Sequence, residues 1–167
     1  METTSTRKTT IETIMPLYDW HTRLFNNALL DITDEDAQNR LNSKANHVAW
    51  LAGSLVQERF ALAKVFDIKM TQTSHDLFKD HKGIQDDIKY PSLKEFIKDW
   101  ESVSPLLREA LVNATEEKLE SPDPWEMPGG DYKLSDVLAF CIDRESYCIG
   151  QIGLYRRLLG YHAMKYD

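Results

Sequence analysis

Several polar side chains fall on helix faces that hydrophobic spacing assigns to the interior, and these residues are the ones equipped for chemistry. Positions three, four and seven apart share one face of a helix. In the second long helical pattern that face reads His47, Leu51, Ser54, Glu58, Ala61, Leu62 and Val65. In the last it reads Val137, Cys141, Arg144, Cys148, Gln151, Tyr155 and Leu159. A buried guanidinium needs an anion, because an unpaired charge inside a protein costs several kcal/mol. Glu58 and Glu145 are the nearest candidates by pattern. Together these positions imply a polar pocket at one end of a bundle, with Ser54, Glu58, Arg144, Glu145, Cys148 and Gln151 around it and His47 and Trp50 beside it. The competing reading is that the polar groups satisfy one another and bind nothing.

The chemistry open to such a set is limited. Arg144, one turn from Cys148, favours a thiolate, but no histidine stands at a spacing that makes it a base for that thiol. Cys148 is equally read as a small buried hydrophobe. It is also a ligand for a soft metal. His47 precedes Ser54 by two turns, about 10 Å along the axis, too far to join it on one ion. His21 and Glu58 remain as other donors, and the fixed charge of Arg144 repels a divalent cation. Trp20, Trp50 and Trp100 read as core or groove packing. Trp125, in a Pro-rich stretch, either covers the pocket mouth or staples the loop.

Four long helical patterns must position these groups. The first spans about 6–30, with Ile11, Ile14, Leu17, Tyr18, His21, Leu24, Phe25 and Leu29 in register and Pro16 either kinking or starting it. The second spans about 44–66, with Asn42 or Ser43 as cap. A polar crossing follows to Tyr90. Ser92-Leu93-Lys94-Glu95 is a capping box opening the third helix, which ends near Asn113 and contains Pro105. Residues 121–132, with three prolines and two glycines, form a loop. The last helix spans about 134–159, with Arg156 and Arg157 at its negative end and Gly160 as its stop.

The chain has 167 residues, 42% hydrophobic and 28% charged, as expected of one domain with a full core. A net charge of −7 argues against a nucleic-acid partner, since phosphate binding needs basic surface. No apolar run of about 18 residues predicts a membrane span. Met1 to Thr10 lacks an apolar signal core, so a cytoplasmic location is the default expectation. Cys141 and Cys148 lie about 10 Å apart along one helix and cannot bridge. The opposite face of that helix, Ala139, Ile142, Ser146, Ile149, Gly150 and Gly153, is small and apolar, which predicts a homodimer through the last helix. The acidic stretches at 31–36 and 86–87 read as solvated.

Two segments carry a family likeness. Residues 46–60 contain Trp50-Leu51-Ala52-Gly53-Ser54, and residues 144–154 contain Arg144 and Cys148 followed by Ile149-Gly150-Gln151. Both resemble the hallmark segments of the DinB/YfiT-like superfamily, a bacterial stress-related grouping named for DNA-damage induction. Four helices with two long crossings already fit an all-α, four-helix bundle over residues 1–167, with 1–5 expected to be loosely ordered; the resemblance adds the up-down-down-up topology. The family pattern places histidines, often holding a divalent metal such as Zn or Ni, where this chain has Ser54, Arg144 and Cys148. It therefore implies a degenerate metal site with no metal and no cofactor. The expected function is a small-molecule-binding or structural bundle. The alternative is a thiol-dependent transferase or metal-dependent hydrolase using a recruited metal or Cys148, as some relatives are implicated in thiol transfer.

Overall fold

Helix-forming sequence, broken by a few capped connections, builds an all-helical chain. The computed structural model describes residues 4–167, with side chains from Ile11 onward. Its long helices are α1 (Thr4–Leu29), α3 (Val48–Val65), α5 (Leu93–Val112) and α7 (Leu134–Leu158). Three single-turn helices lie in the connections: α2 (Asp34–Ala37), α4 (His75–Phe78), which runs into a tighter turn at Lys79–His81, and α6 (Glu116–Leu119). The expectation of loose order at 1–5 falls partly on residues 1–3, which lie outside the described residues; Thr4 and Ser5 already belong to α1.

The ends of the helices follow local chemistry. Ser92 and Glu95 form the capping box that opens α5, with Ser92 Oγ accepting the Glu95 N–H and the Glu95 carboxylate accepting the Ser92 N–H. Gly160, at φ +93°, takes the left-handed step that stops α7. Pro16 and Pro105 both sit inside continuous helices. The second helix departs from expectation. It begins at Val48, not near Lys44, and its cap is His47, whose Nδ1 accepts the Trp50 N–H at 3.1 Å. Leu41 and Asn42 adopt left-handed backbone, φ +53° and +55°. Arg40 ties down the following turn by donating to the carbonyls of Lys44 and Ala45.

Packing places α1 against α5 and α7, and α3 against the same two helices. The buried apolar residues divide into two clusters. One holds Phe25, Leu51, Leu55, Phe60, Phe96, Trp100 and Ile152. The other holds Ile14, Leu107, Leu111, Leu134, Val137 and Cys141. Each long helix adds a buried polar residue to the core, His21 on α1, Arg59 on α3, Ser104 on α5 and Glu145 on α7, and on α1, α5 and α7 it falls between the two clusters. A polar layer thus crosses the core. Two interior positions of α7 were expected on its outer face: Ile142 and Ile149 are 8% and 2% exposed and belong to the core. The exposed apolar row is instead Phe140, Tyr147, Leu154 and Leu158. Among the described residues no helix is long and apolar enough to cross a membrane.

Candidate functional site

Two neighbouring residues on each of two packed helices set up the site. Glu58-Arg59 on α3 meets Arg144-Glu145 on α7, and the four pair crosswise. Adjacent residues on a helix point about 100° apart, so one pair turns inward and the other outward. The inner pair is Arg59 with Glu145. Arg59 Nε donates to Glu145 Oε1 at 2.6 Å, and its Nη2 donates to Oε2 at 3.0 Å, a bidentate contact. Its Nη1 donates to Thr22 Oγ1 at 2.8 Å and Ser104 Oγ at 2.7 Å. The guanidinium lies between the Trp100 ring, 3.5 Å from its centroid, and the Tyr18 ring at 4.0 Å. His21 Nδ1 completes the group, 3.2 Å from Glu145 Oε2. Burial pushes the Glu145 carboxyl upward, but Arg59 and His21 outweigh it and hold it below the ordinary range.

The outer pair is Glu58 with Arg144. Arg144 Nη1 stands 3.1 Å from Glu58 Oε2, and its Nη2 donates to Ser54 Oγ at 2.6 Å. Their side chains are 10% and 24% exposed, against 1% and 4% for Arg59 and Glu145. Burial raises the Glu58 pKa to about 7, against the pull of Arg144 and with a smaller push from Glu145. Near neutral pH the carboxyl is therefore shared between its charged and neutral forms. Glu58 Oε1 is buried and has no hydrogen-bond partner among the described residues, and neither has Trp50 Nε1.

A cleft of about 990 Å³ opens over this outer pair, at the upper end of volumes for small-molecule sites. Trp50, Ser54, Gln57, Glu58 and Ala61 contribute one face of α3; Asp136, Phe140 and Arg144 contribute one face of α7. The remaining walls come from two connections distant in sequence. Phe78 to Lys82 close one side, and Trp125 to Pro128 with Tyr132 close the other. Trp125 thus lines the cleft and also packs against the second apolar cluster. Gly53 makes the first wall possible: a Cβ there would meet the Phe78 ring at 2.1 Å and the Phe96 ring at 2.7 Å. Asp80 and His81 hold left-handed backbone, φ +57° and +55°, in the turn that presents Lys79, His81 and Lys82 to the rim.

The residues singled out from sequence are thus only partly brought together. Ser54, Glu58, Arg144 and Trp50 line the cleft. Glu145 lies one layer inward, committed to Arg59 and His21. Cys148 is 4% exposed and packs with the apolar cluster. Burial raises its thiol pKa, outweighing Arg144, which acts in the opposite direction, so its surroundings disfavour the thiolate. His47 is the α3 cap, its ring edge-on to Tyr90, and burial lowers its pKa to about 4. Gln151 is half-buried on α7 beyond Cys148 and does not line the cleft.

Sequence reasoning missed Arg59, the cation that Glu145 requires. The signal was the Glu-Arg dipeptide facing an Arg-Glu dipeptide. The residues where the resemblance puts metal ligands do not suit a metal. Arg144 donates to Ser54 and pairs with Glu58, which places a fixed cation at the centre of the would-be site. Among the described residues no three His, Cys, Asp or Glu side chains are grouped to hold an ion. No family model matches the chain, and no curated protein or solved structure matches it significantly.

Proposed function

We propose that this protein binds a small organic molecule, without a metal, in the cleft between α3 and α7. One observation carries the reading: a concave site of about 990 Å³ with five aromatic walls, Trp50, Phe78, Trp125, Tyr132 and Phe140, stands over a partly exposed ion pair. Apolar walls with a few placed polar groups are the usual make-up of a ligand site. A purely structural ion pair gains nothing from such a cleft, and a well-packed core would have filled it.

The reading extends to fold and family. An up-down-down-up four-helix bundle of the DinB/YfiT-like kind is supported by the paired contacts. Asn27 and Ala28 of α1 meet Arg156 of α7, so those two helix ends coincide. Asn26 meets Glu101 and Asp19 meets Arg108, which runs α5 against α1. A homodimer through α7 also belongs to the proposal, now with Tyr147, Leu154 and Leu158 as its apolar contacts, since each is at least 60% exposed. The thiol-transfer alternative loses support from the burial of Cys148.

The test is binding of a panel of aromatic fragments, followed by quenching of tryptophan fluorescence, since Trp50 and Trp125 line the cleft. Ala61→Trp places an indole in the cleft and is expected to abolish binding while leaving the helical signal intact. Binding indifferent to Ala61→Trp refutes the cleft as the site.

A further inference from the structure

The walls of the cleft are apolar, so the charge of its ligand is decided by the polar atoms at its base. There the unpartnered donors outnumber the unpartnered acceptors, of which Glu58 Oε1 is one. Arg144 makes one contact to Ser54 and one to Glu58, and its other N–H groups have no protein acceptor among the described residues. Trp50 Nε1, one turn from Ser54 on the same face of α3, is likewise without an acceptor. Arginine presents five donors and no acceptor, in a fork that fits a carboxylate. The rim carries three carboxylates, Asp80, Glu126 and Asp136, against Lys79 and Lys82. Lys79 is already paired with Asp76, and Lys82 donates to the Asp76 carbonyl. A multiply charged anion meets more repulsion at that mouth than a single carboxylate on a flat apolar body does.

We propose that the ligand is an aromatic monocarboxylate, its ring between the aromatic walls and its carboxylate on Arg144, with Glu58 taking up a proton as it binds. This rests on the cleft being a ligand site. The proton follows from competition for one guanidinium. A second carboxylate beside Arg144 disfavours the charged form of Glu58, whose pKa stands at about 7 before any ligand arrives. The other charges acting on Glu58 are Arg144 and Glu145 on α7 and Arg59 beside it on α3. His21 of α1 reaches this group only through Glu145. Cys141 and Cys148 on α7 are held protonated by burial, and His81 stands at the rim. Protonated, Glu58 has an O–H to donate to the incoming carboxylate.

The experiment is isothermal calorimetry with 2-naphthoate, 2-naphthamide and 2-naphthylmethylammonium, three probes with one ring system and different charge. Naphthoate is expected to bind at least tenfold more tightly than either analogue. Arg144→Ala is expected to weaken naphthoate tenfold or more, the loss typical of a charge-assisted hydrogen bond, and to leave naphthamide unchanged. With a Glu58 pKa of about 7, naphthoate affinity is expected to fall about tenfold from pH 6 to pH 8 while the probe itself stays ionised. Glu58→Gln should flatten that profile, and buffers of differing ionisation enthalpy should report proton uptake near pH 7. Arg144→Lys, which keeps the charge and one donor, guards against a folding defect in the alanine variant and is expected to weaken binding less. Binding of the amide or the ammonium in preference to naphthoate overturns the carboxylate assignment and leaves the ligand cleft standing. A pH-independent affinity overturns the role of Glu58. Silence from all three probes overturns both the assignment and the binding cleft.

Discussion

Glu145→Ala tests the polar layer at the centre of the protein. Arg59 is 1% exposed, and its N–H groups reach both Glu145 oxygens, Thr22 and Ser104. Removing the carboxylate leaves two guanidinium N–H groups and the charge itself without a counterpart, in a layer bounded by Tyr18 and Trp100. Stranding one member of a buried pair costs about 3–5 kcal/mol. For a domain of this size that is a fall in Tm of roughly 6–20 °C. Far-ultraviolet circular dichroism during urea and thermal denaturation measures both. The double variant Arg59→Met with Glu145→Leu separates charge from packing. Thr22 Oγ1 already donates to the Tyr18 carbonyl, and Ser104 Oγ to the Trp100 carbonyl, so neither hydroxyl loses the acceptor for its proton. The double variant is therefore expected to cost less than either single change, as buried pairs replaced by apolar residues often do. A loss below about 1 kcal/mol for Glu145→Ala, or a double variant as unstable as the two singles added, refutes the account. The pH dependence has a definite sign. The Glu145 pKa is held down in the fold, so its stabilisation is present above the ordinary carboxylate range and is lost as pH falls through the lowered value.

Glu58 titrates in the opposite direction. Its pKa rises from 4.5 to about 7 on folding, so the native state binds the extra proton, and the contribution of Glu58 to stability is greatest below pH 4.5 and declines up to about pH 7. The decline is expected to reach about 3 kcal/mol at most, and Glu58→Gln should remove it; urea midpoints from pH 4.5 to 8 that slope equally in both proteins contradict this. Arg144→Ala is expected to cost only about 1–2 kcal/mol, because the partner it strands can take a proton. Gly53→Ala pushes the Phe78 ring off α3; the clash is expected to outweigh the gain of about 1 kcal/mol in helix propensity, lowering the thermal midpoint and increasing proteolysis near 78–82. Light scattering should find a dimer that Leu154→Arg weakens, whereas a single species near 19.3 kDa at tens of micromolar removes the α7 interface.

Much of the helical layout is a local property of the sequence. The Ser92–Glu95 box, the Gly160 stop and the loop at 121–132 depend on residues within one or two turns of each other, so the chain itself specifies them. The need of Arg144 for an anion was equally legible, because a charge on an apolar face must be met, and Glu58 was one of two carboxylates within reach. Which carboxylate meets which cation was not local. α3 is buried on most of its circumference, from Val48 and Ala49 round to Phe60 and Ala63, so periodicity put Glu58 on the interior face and missed that Arg59 beside it is the more buried of the two. Only the rotation of α3 against α7 sends Arg59 to Glu145 and leaves Glu58 with Arg144 at the cleft. The same rotation puts Ile142 and Ile149 in the core. The start of α3 is marked by the His47 cap, beyond a turn with left-handed residues at Leu41 and Asn42 and contacts from Arg40 to the Lys44 and Ala45 carbonyls. The cleft walls lie further still from local control. Phe78 and Trp125 are far from Arg144 in sequence and meet around it only when the two long connections fold across the helices, because what brings them there is burial against surfaces that do not exist until the helices have packed.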